Sequence, residues 1–137
     1  MPTLARLKKR ADFLRVAAQR RKWAAPGLIL QAAPADVPLT KADSTIDVVR
    51  VGFTVSKKVG NSVERNRARR RLKAAAAEIL PLCAATGLDL VVIGRRESLT
   101  RPYSLLLQDL RTALKRVGAL RPGDDPQAAA PREAGKQ

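Results

Sequence analysis

Val48-Val49-Arg50-Val51-Gly52-Phe53-Thr54-Val55, followed after a short basic connection by Asn61-Ser62-Val63-Glu64, switches its pattern from strand to helix within a few residues. In the first segment Val49, Val51, Phe53 and Val55 alternate with Arg50, Gly52 and Thr54, as in a strand with one face in the core and the other open for binding. In the second, Asn61 and Glu64 have the spacing of a capping box, in which the Asn side chain and the Glu carboxylate each satisfy a free backbone N–H. The spacing predicts a helix from there to about Leu80, rich in strong helix formers from Ala74 to Ala77 and ended by Pro81. Leu88-Asp89-Leu90-Val91-Val92-Ile93-Gly94 then reads as a central strand, apolar on both faces in its middle. Strand, helix and strand in this order are consistent with a βαβ unit.

Upstream, Phe13, Val16 and Ala17 recur at helical spacing and predict a helix over about Arg10 to Lys22, with Asp12 in its first turn. Pro26-Gly27 punctuates the chain before a short apolar strand, Leu28 to Ala32. Residues 34–46, rich in Pro, Asp, Ser and Thr, read as a flexible connection. Downstream, Tyr103, Leu106, Leu107, Leu110, Ala113, Leu114 and Val117 follow one helical stripe, with Thr100 expected as its cap and Gly118 just past its end. From Arg121 to Gln137 no period survives, and a disordered tail is expected. The expected organisation is one domain over residues 1–120 with that tail appended.

Composition narrows the function. Among 137 residues, 27 Lys and Arg face 12 Asp and Glu, a net charge of +15 that is best tolerated beside a polyanion. No apolar run approaches the roughly 20 residues that span a bilayer, so nucleic acid is favoured over a membrane. No apolar segment follows the basic start at Met1 to Arg10, so cytoplasm is the expected compartment. Cys83 is the single cysteine and histidine is absent, which removes an intrachain disulfide, a cysteine metal cage and the commonest general base. Protein-side acid–base catalysis is not expected.

The charge concentrates between Lys57 and Lys73, where Lys57, Lys58, Arg65, Arg67, Arg69, Arg70, Arg71 and Lys73 are opposed only by Glu64. At about 100° per residue, Ala68, Leu72, Ala75, Ala76 and Ile79 form a buried stripe while Asn66, Arg67, Arg70, Arg71 and Lys73 fan across the other side. Guanidinium groups suit this position because they bind phosphate through paired bonds and also stack on bases. A merely solvated basic face is the bland alternative, disfavoured because like charges this close cost helix stability unless something neutralises them. Arg65 extends the buried stripe, so it either reaches the surface along its stem or borders a groove beside the sheet.

The string from Arg50 to Val63, followed by Arg65-Asn66-Arg67 and the basic run to Lys73, resembles the signature of the bacterial ribonuclease P protein family, whose hallmark is the Arg-Asn-Arg triplet. The resemblance runs from roughly Leu7 to Val117. It implies an α+β fold with about four strands in a mixed sheet, three helices and a left-handed crossover through the basic helix, a handedness that periodicity would not suggest. It also implies a subunit of an endoribonuclease that removes the 5′ leader of precursor tRNA, with the catalytic groups on an RNA that holds Mg²⁺ and none on the protein. The implied partners are that catalytic RNA and precursor tRNA, with no obligate protein partner. Arg65, Asn66, Arg67, Arg69, Arg70 and Lys73 would face the catalytic RNA, and Lys57 and Arg71 belong to the same basic run. Phe13, Ala17, Ile29, Gln31, Thr54 and Lys58 match by position a groove for the single-stranded leader. Ala17 and Gln31 stand where many members carry aromatic rings, which shifts leader grip towards phosphate contacts and Phe13.

Trp23 could supply a replacement ring, though no spacing argument supports it; packing or surface contact is its plain alternative, as core packing is for Phe13. Two other functions compete. A general RNA-binding module such as a ribosomal protein shares the charge but predicts no dependence on a leader. A protein-only nuclease would need clustered carboxylates for two metals, and Asp36, Asp43, Asp124 and Asp125 fall in the expected connection and tail.

Overall fold

The capping box at Asn61 is formed: in the computed structural model, which describes residues 3–34, 48–85 and 87–119, Asn61 Oδ1 accepts from the Glu64 N–H at 2.8 Å and Glu64 Oε1 from the Asn61 N–H at 2.9 Å. Along the described residues run β1 (Thr3–Arg6), α1 (Arg10–Ala18), β2 (Lys22–Ala24), β3 (Leu28–Pro34), β4 (Val48–Thr54), α2 (Ser62–Cys83), β5 (Leu88–Gly94) and α3 (Tyr103–Arg116). The strands form one mixed sheet in the order β1-β4-β5-β3-β2. β1 and β5 flank β4 in parallel, whereas β3 is antiparallel to both β5 and β2. β4, α2 and β5 are thus the expected parallel crossover, and the fold is α+β.

Five strands replace the expected four. The two additions, β1 and β2, are edge strands of four and three residues, too short to show an alternating pattern. β2 also corrects the first helix, which ends at Ala18 and not near Lys22. Arg20 adopts φ 60° and reverses the chain, and Lys22–Ala24 then pairs with Ile29–Gln31 across the Pro26-Gly27 turn; sheet pairing overrides helix propensity here. Pro81 does not end α2, which continues to Cys83. A proline's fixed φ is compatible with a helix, although it removes one donor and crowds the carbonyl four residues back; here Pro81 lies in the last turn of the helix, and that turn still closes with Ala84 N–H donating to Leu80 at 3.0 Å. Thr100 is not the cap of α3, which begins after Pro102, since Thr100 closes a helical turn over Arg96–Leu99. At the other end Gly118, at φ 73°, is the expected terminator. Its N–H donates to Lys115 and that of Ala119 to Leu114, the paired bonds of a Schellman motif. Apart from Pro34, which ends β3, the connection at residues 34–46 and the tail at 121–137 lie outside the described residues.

The main core lies between one sheet face and the helices α2 and α3. Leu28, Leu30, Val49, Val51, Leu90 and Val92 meet Ala68, Leu72, Ala75, Ala76, Ile79, Leu106, Leu110 and Leu114, all buried. The stripe read from α2 is therefore the packed one. On this side Tyr103 donates its hydroxyl to Glu78. That bond, with desolvation and the nearby carboxylate, pushes the phenol up to about 12. Because the folded value lies above the ordinary one, the bond's contribution to stability is fully present below pH ~10 and is lost as the pH rises through about 12. Tyr103 is the single tyrosine, so its titration reads out directly: tyrosinate absorbance should appear near the raised value, and Glu78→Gln should return it towards the ordinary one.

The opposite face carries a smaller cluster, Leu7, Val16, Ala33 and Val91, with Phe13 and Ile93 packed against it. α1 covers part of this face and leaves the rest open.

Candidate nucleic-acid interface

What holds α1 on the sheet is a carboxylate buried in a strand. Asp89 of β5 is 0% exposed and is met by the Arg50 guanidinium in two bonds, Nε to Oδ1 at 2.7 Å and Nη2 to Oδ2 at 2.6 Å. Arg15 of α1 donates to the same Oδ2, and its Nη1 donates to the Pro34 carbonyl at 2.8 Å. Asp12 lies 3.5 Å from Arg15 and 3.9 Å from Arg50. Charge burial this deep requires such pairing, and it fixes α1 across the start of β5.

Strand register shows what remains uncovered. Arg50, Asp89 and Ala33 form one cross-strand row on the α1 face, Gly52, Val91, Gln31 and Lys22 the next, and Thr54, Ile93, Ile29 and Ala24 the last. α1 closes over the first row and reaches the second through Phe13. A Cβ built on Gly52 would lie 2.5 Å from the Phe13 ring, so the ring rests directly on the glycine backbone. In the last row Thr54 and Ala24 are exposed while Ile29 and Ile93 are half-buried, and Ala17 on α1 is exposed. Phe13, Ala17, Ile29, Gln31 and Thr54 therefore share one partly open face. Lys58, also exposed, stands in the helical turn Lys57–Val59 that leads from the open end of β4 into α2. Phe13 packs and borders the opening at once; its two readings are not exclusive.

The basic run is arranged around the start of α2. Lys57, Asn66, Arg67 and Arg70 are exposed, and Arg65, Arg69, Arg71 and Lys73 are half-buried. None of Lys57, Lys58, Arg65, Arg67, Arg69, Arg70 and Lys73 has an ion pair among the described residues. Arg69 Nη1 donates to Asn66 Oδ1 at 2.9 Å. The Arg65 Nε is buried without a hydrogen-bond partner among the described residues. Arg71 is turned to the fold itself, donating to the carbonyls of Ser98 at 2.7 Å and Arg101 at 2.5 Å. Partial burial, with Arg6 and Arg69 beside it, lowers the Lys73 ammonium below its ordinary value. Arg6 lies on β1, and Lys8, Lys9 and Arg10 follow it, all exposed. Arg6 escaped the sequence reading; the signal was the run Arg6-Leu7-Lys8-Lys9-Arg10, and the placement of Arg6 beside Lys73 of α2 depends on the unforeseen β1.

Crowded cations without counter-charges suit a polyanion whose phosphates would supply them. Among the described residues no group of three or more acidic or cysteine side chains gathers to hold a metal. No helix of the described residues is long and apolar enough to cross a membrane.

Comparison with known proteins agrees with this architecture. The family model described as Ribonuclease P matches residues 1–118. The Ribonuclease P protein component of Paramagnetospirillum magneticum is 74% identical over 117 residues, covering 85% of this chain and 85% of that one. Its counterpart in Gluconacetobacter diazotrophicus is 49% identical over 113 residues, covering 82% and 90%. Among solved structures, the RNase P protein of Staphylococcus aureus superposes with a TM-score of 0.65 at 25% identity, covering 85% of this chain and 97% of that one. The RNase P protein from Thermotoga maritima gives 0.64 at 23% identity, covering 81% and 96%.

Proposed function

This chain belongs to the ribonuclease P protein family, and we propose that it acts there as the RNA-binding subunit, holding the catalytic RNA on its basic helix and the 5′ leader of precursor tRNA in the groove beside α1. The observation that carries this reading is the placement of two chemically different surfaces end to end. The open row Thr54–Ile93–Ile29 is partly apolar and suits unstacked bases, and the chain leaving it passes through Lys57 and Lys58 into unpaired arginines suited to phosphates. Lys57, Arg65, Asn66, Arg67, Arg69, Arg70 and Lys73 take the catalytic RNA, with Arg71 holding the helix against the Ser98–Arg101 segment. Phe13, Ala17, Ile29, Gln31, Thr54 and Lys58 take the leader.

Hydrolysis then falls to the RNA and the Mg²⁺ it binds; the protein raises substrate affinity and screens repulsion between the two RNAs. One domain over residues 1–120 suffices for this, working in the cytoplasm without an obligate protein partner. If about six phosphates are contacted, the logarithm of affinity for the catalytic RNA should fall with the logarithm of salt at a slope of about −4 to −5. A slope near zero would contradict a phosphate-dominated interface.

The groove is tested with Phe13. Stacking a base on an aromatic ring is worth about 1 to 3 kcal/mol. Phe13→Ala should therefore weaken binding of leader-bearing precursor tRNA to the complex of protein and catalytic RNA by at least roughly fivefold, and leave mature tRNA, which has no leader, unaffected. Equal weakening of both would remove the groove from the account. Co-purification with ribosomal subunits, with no leader dependence, would favour a general RNA-binding role.

A further inference from the structure

Beyond the groove, at the β2 edge of the sheet, stands an aromatic group that the leader reading does not use. Trp23, the single tryptophan, is 37% exposed. It pairs across the ladder with Leu30 and so sits on the α3 side of β2, where the Arg116 guanidinium lies over its ring, 5.0 Å from the centroid. Its neighbour Lys22 is in register with Gln31, on the groove side of the same strand. All three residues of β2 are exposed, as are Arg20 and Arg116. None of Arg20, Lys22 and Arg116 has an acidic partner among the described residues.

A strand of RNA lying in the groove along Gln31 thus meets Lys22 at the rim. Turning over this three-residue edge, it reaches an indole already backed by a guanidinium. A base can stack on the guanidinium plane that covers the ring or on the part of the indole left exposed, and the flanking phosphates are held by charge, without reading sequence. We propose that the leader, once it has filled the groove, crosses the β2 edge at Lys22 and stacks a further base against Trp23 and Arg116, a second nucleotide subsite that grips long leaders more tightly than short ones. This rests on the groove reading, and the site is continuous with the groove through Lys22 and Gln31.

The test measures binding of precursor tRNA to the protein assembled with its catalytic RNA, using one leader just long enough to fill the groove and one several nucleotides longer. Wild type should bind the longer leader more tightly. Trp23→Ala should lose that gain by roughly five- to tenfold, Trp23→Phe should keep most of it, and binding of the shorter leader should be the same in all three. Trp23 emission should be quenched by the longer leader only. Equal binding of the longer leader by wild type and Trp23→Ala, or equal loss on both leaders, would overturn the subsite while leaving the groove in place. A change in sedimentation of Trp23→Ala without any change in leader binding would assign the edge to a second copy of the chain and overturn it too. No dependence on any leader in wild type would instead remove the groove, and the subsite with it.

Discussion

Asp89→Ala should lower the free energy of unfolding by about 3 to 5 kcal/mol, the cost of removing one partner from a buried ion pair. Asp89 is fully enclosed, and both guanidinium groups that meet it are largely covered, Arg50 at 17% and Arg15 at 23% side-chain exposure. Without the carboxylate, two positive charges on the α1 face of the sheet lose the partner they share, and Asp12, at 3.5 and 3.9 Å, is too distant to replace its short bonds. Domains of this size are stable by only about 5 to 15 kcal/mol, so the variant should unfold at a much lower urea concentration than wild type. Asp12→Ala removes longer contacts, at 3.5 and 3.9 Å, and should cost less than Asp89→Ala. Because the Asp89 bonds also hold α1, and α1 carries Phe13 and Ala17, leader binding should weaken with stability. A loss below about 1 kcal/mol for Asp89→Ala would show that these bonds do not fix the helix.

The second large effect is on affinity. Replacing Arg65, Arg67 and Arg70 together with Ala should cut binding to the catalytic RNA steeply at low salt and reduce the salt slope by about 3, close to one for each lost phosphate contact. Stability should not fall in parallel. Ala is the best helix former, and loss of Arg67 and Arg70, three residues apart on an exposed face, relieves repulsion. A variant that unfolds at the same or higher urea concentration yet binds RNA poorly separates the interface from the fold. Unchanged affinity in that variant would place the RNA elsewhere.

The central crossover and its basic helix were legible because alternation in β4, the capping box and the apolar stripe of α2 are local signals that tertiary packing reinforces. The edge strands were not, since β1 and β2 have four and three residues and exist through pairing with partners distant in the chain. Missing them hid two placements: Arg6 beside Lys73, and Trp23 at the sheet edge. The role of Arg71 was equally hidden, because helical projection gives its direction and not the Ser98 and Arg101 carbonyls that await it. Asp89 left a trace that could have been followed, as a lone carboxylate in an otherwise apolar strand demands a cationic partner. Which arginines would answer could come only from the register of Arg50 with Asp89 and the docking of α1.

The RNA-binding role is decided by cleavage of leader-bearing precursor tRNA by the cognate catalytic RNA at low Mg²⁺, alone, with wild-type protein, and with the Arg65, Arg67 and Arg70 triple alanine variant shown by circular dichroism to be folded. Wild type should stimulate cleavage strongly and the variant should not. No stimulation by a wild-type protein that binds the RNA would contradict the account and leave a general RNA-binding protein in its place.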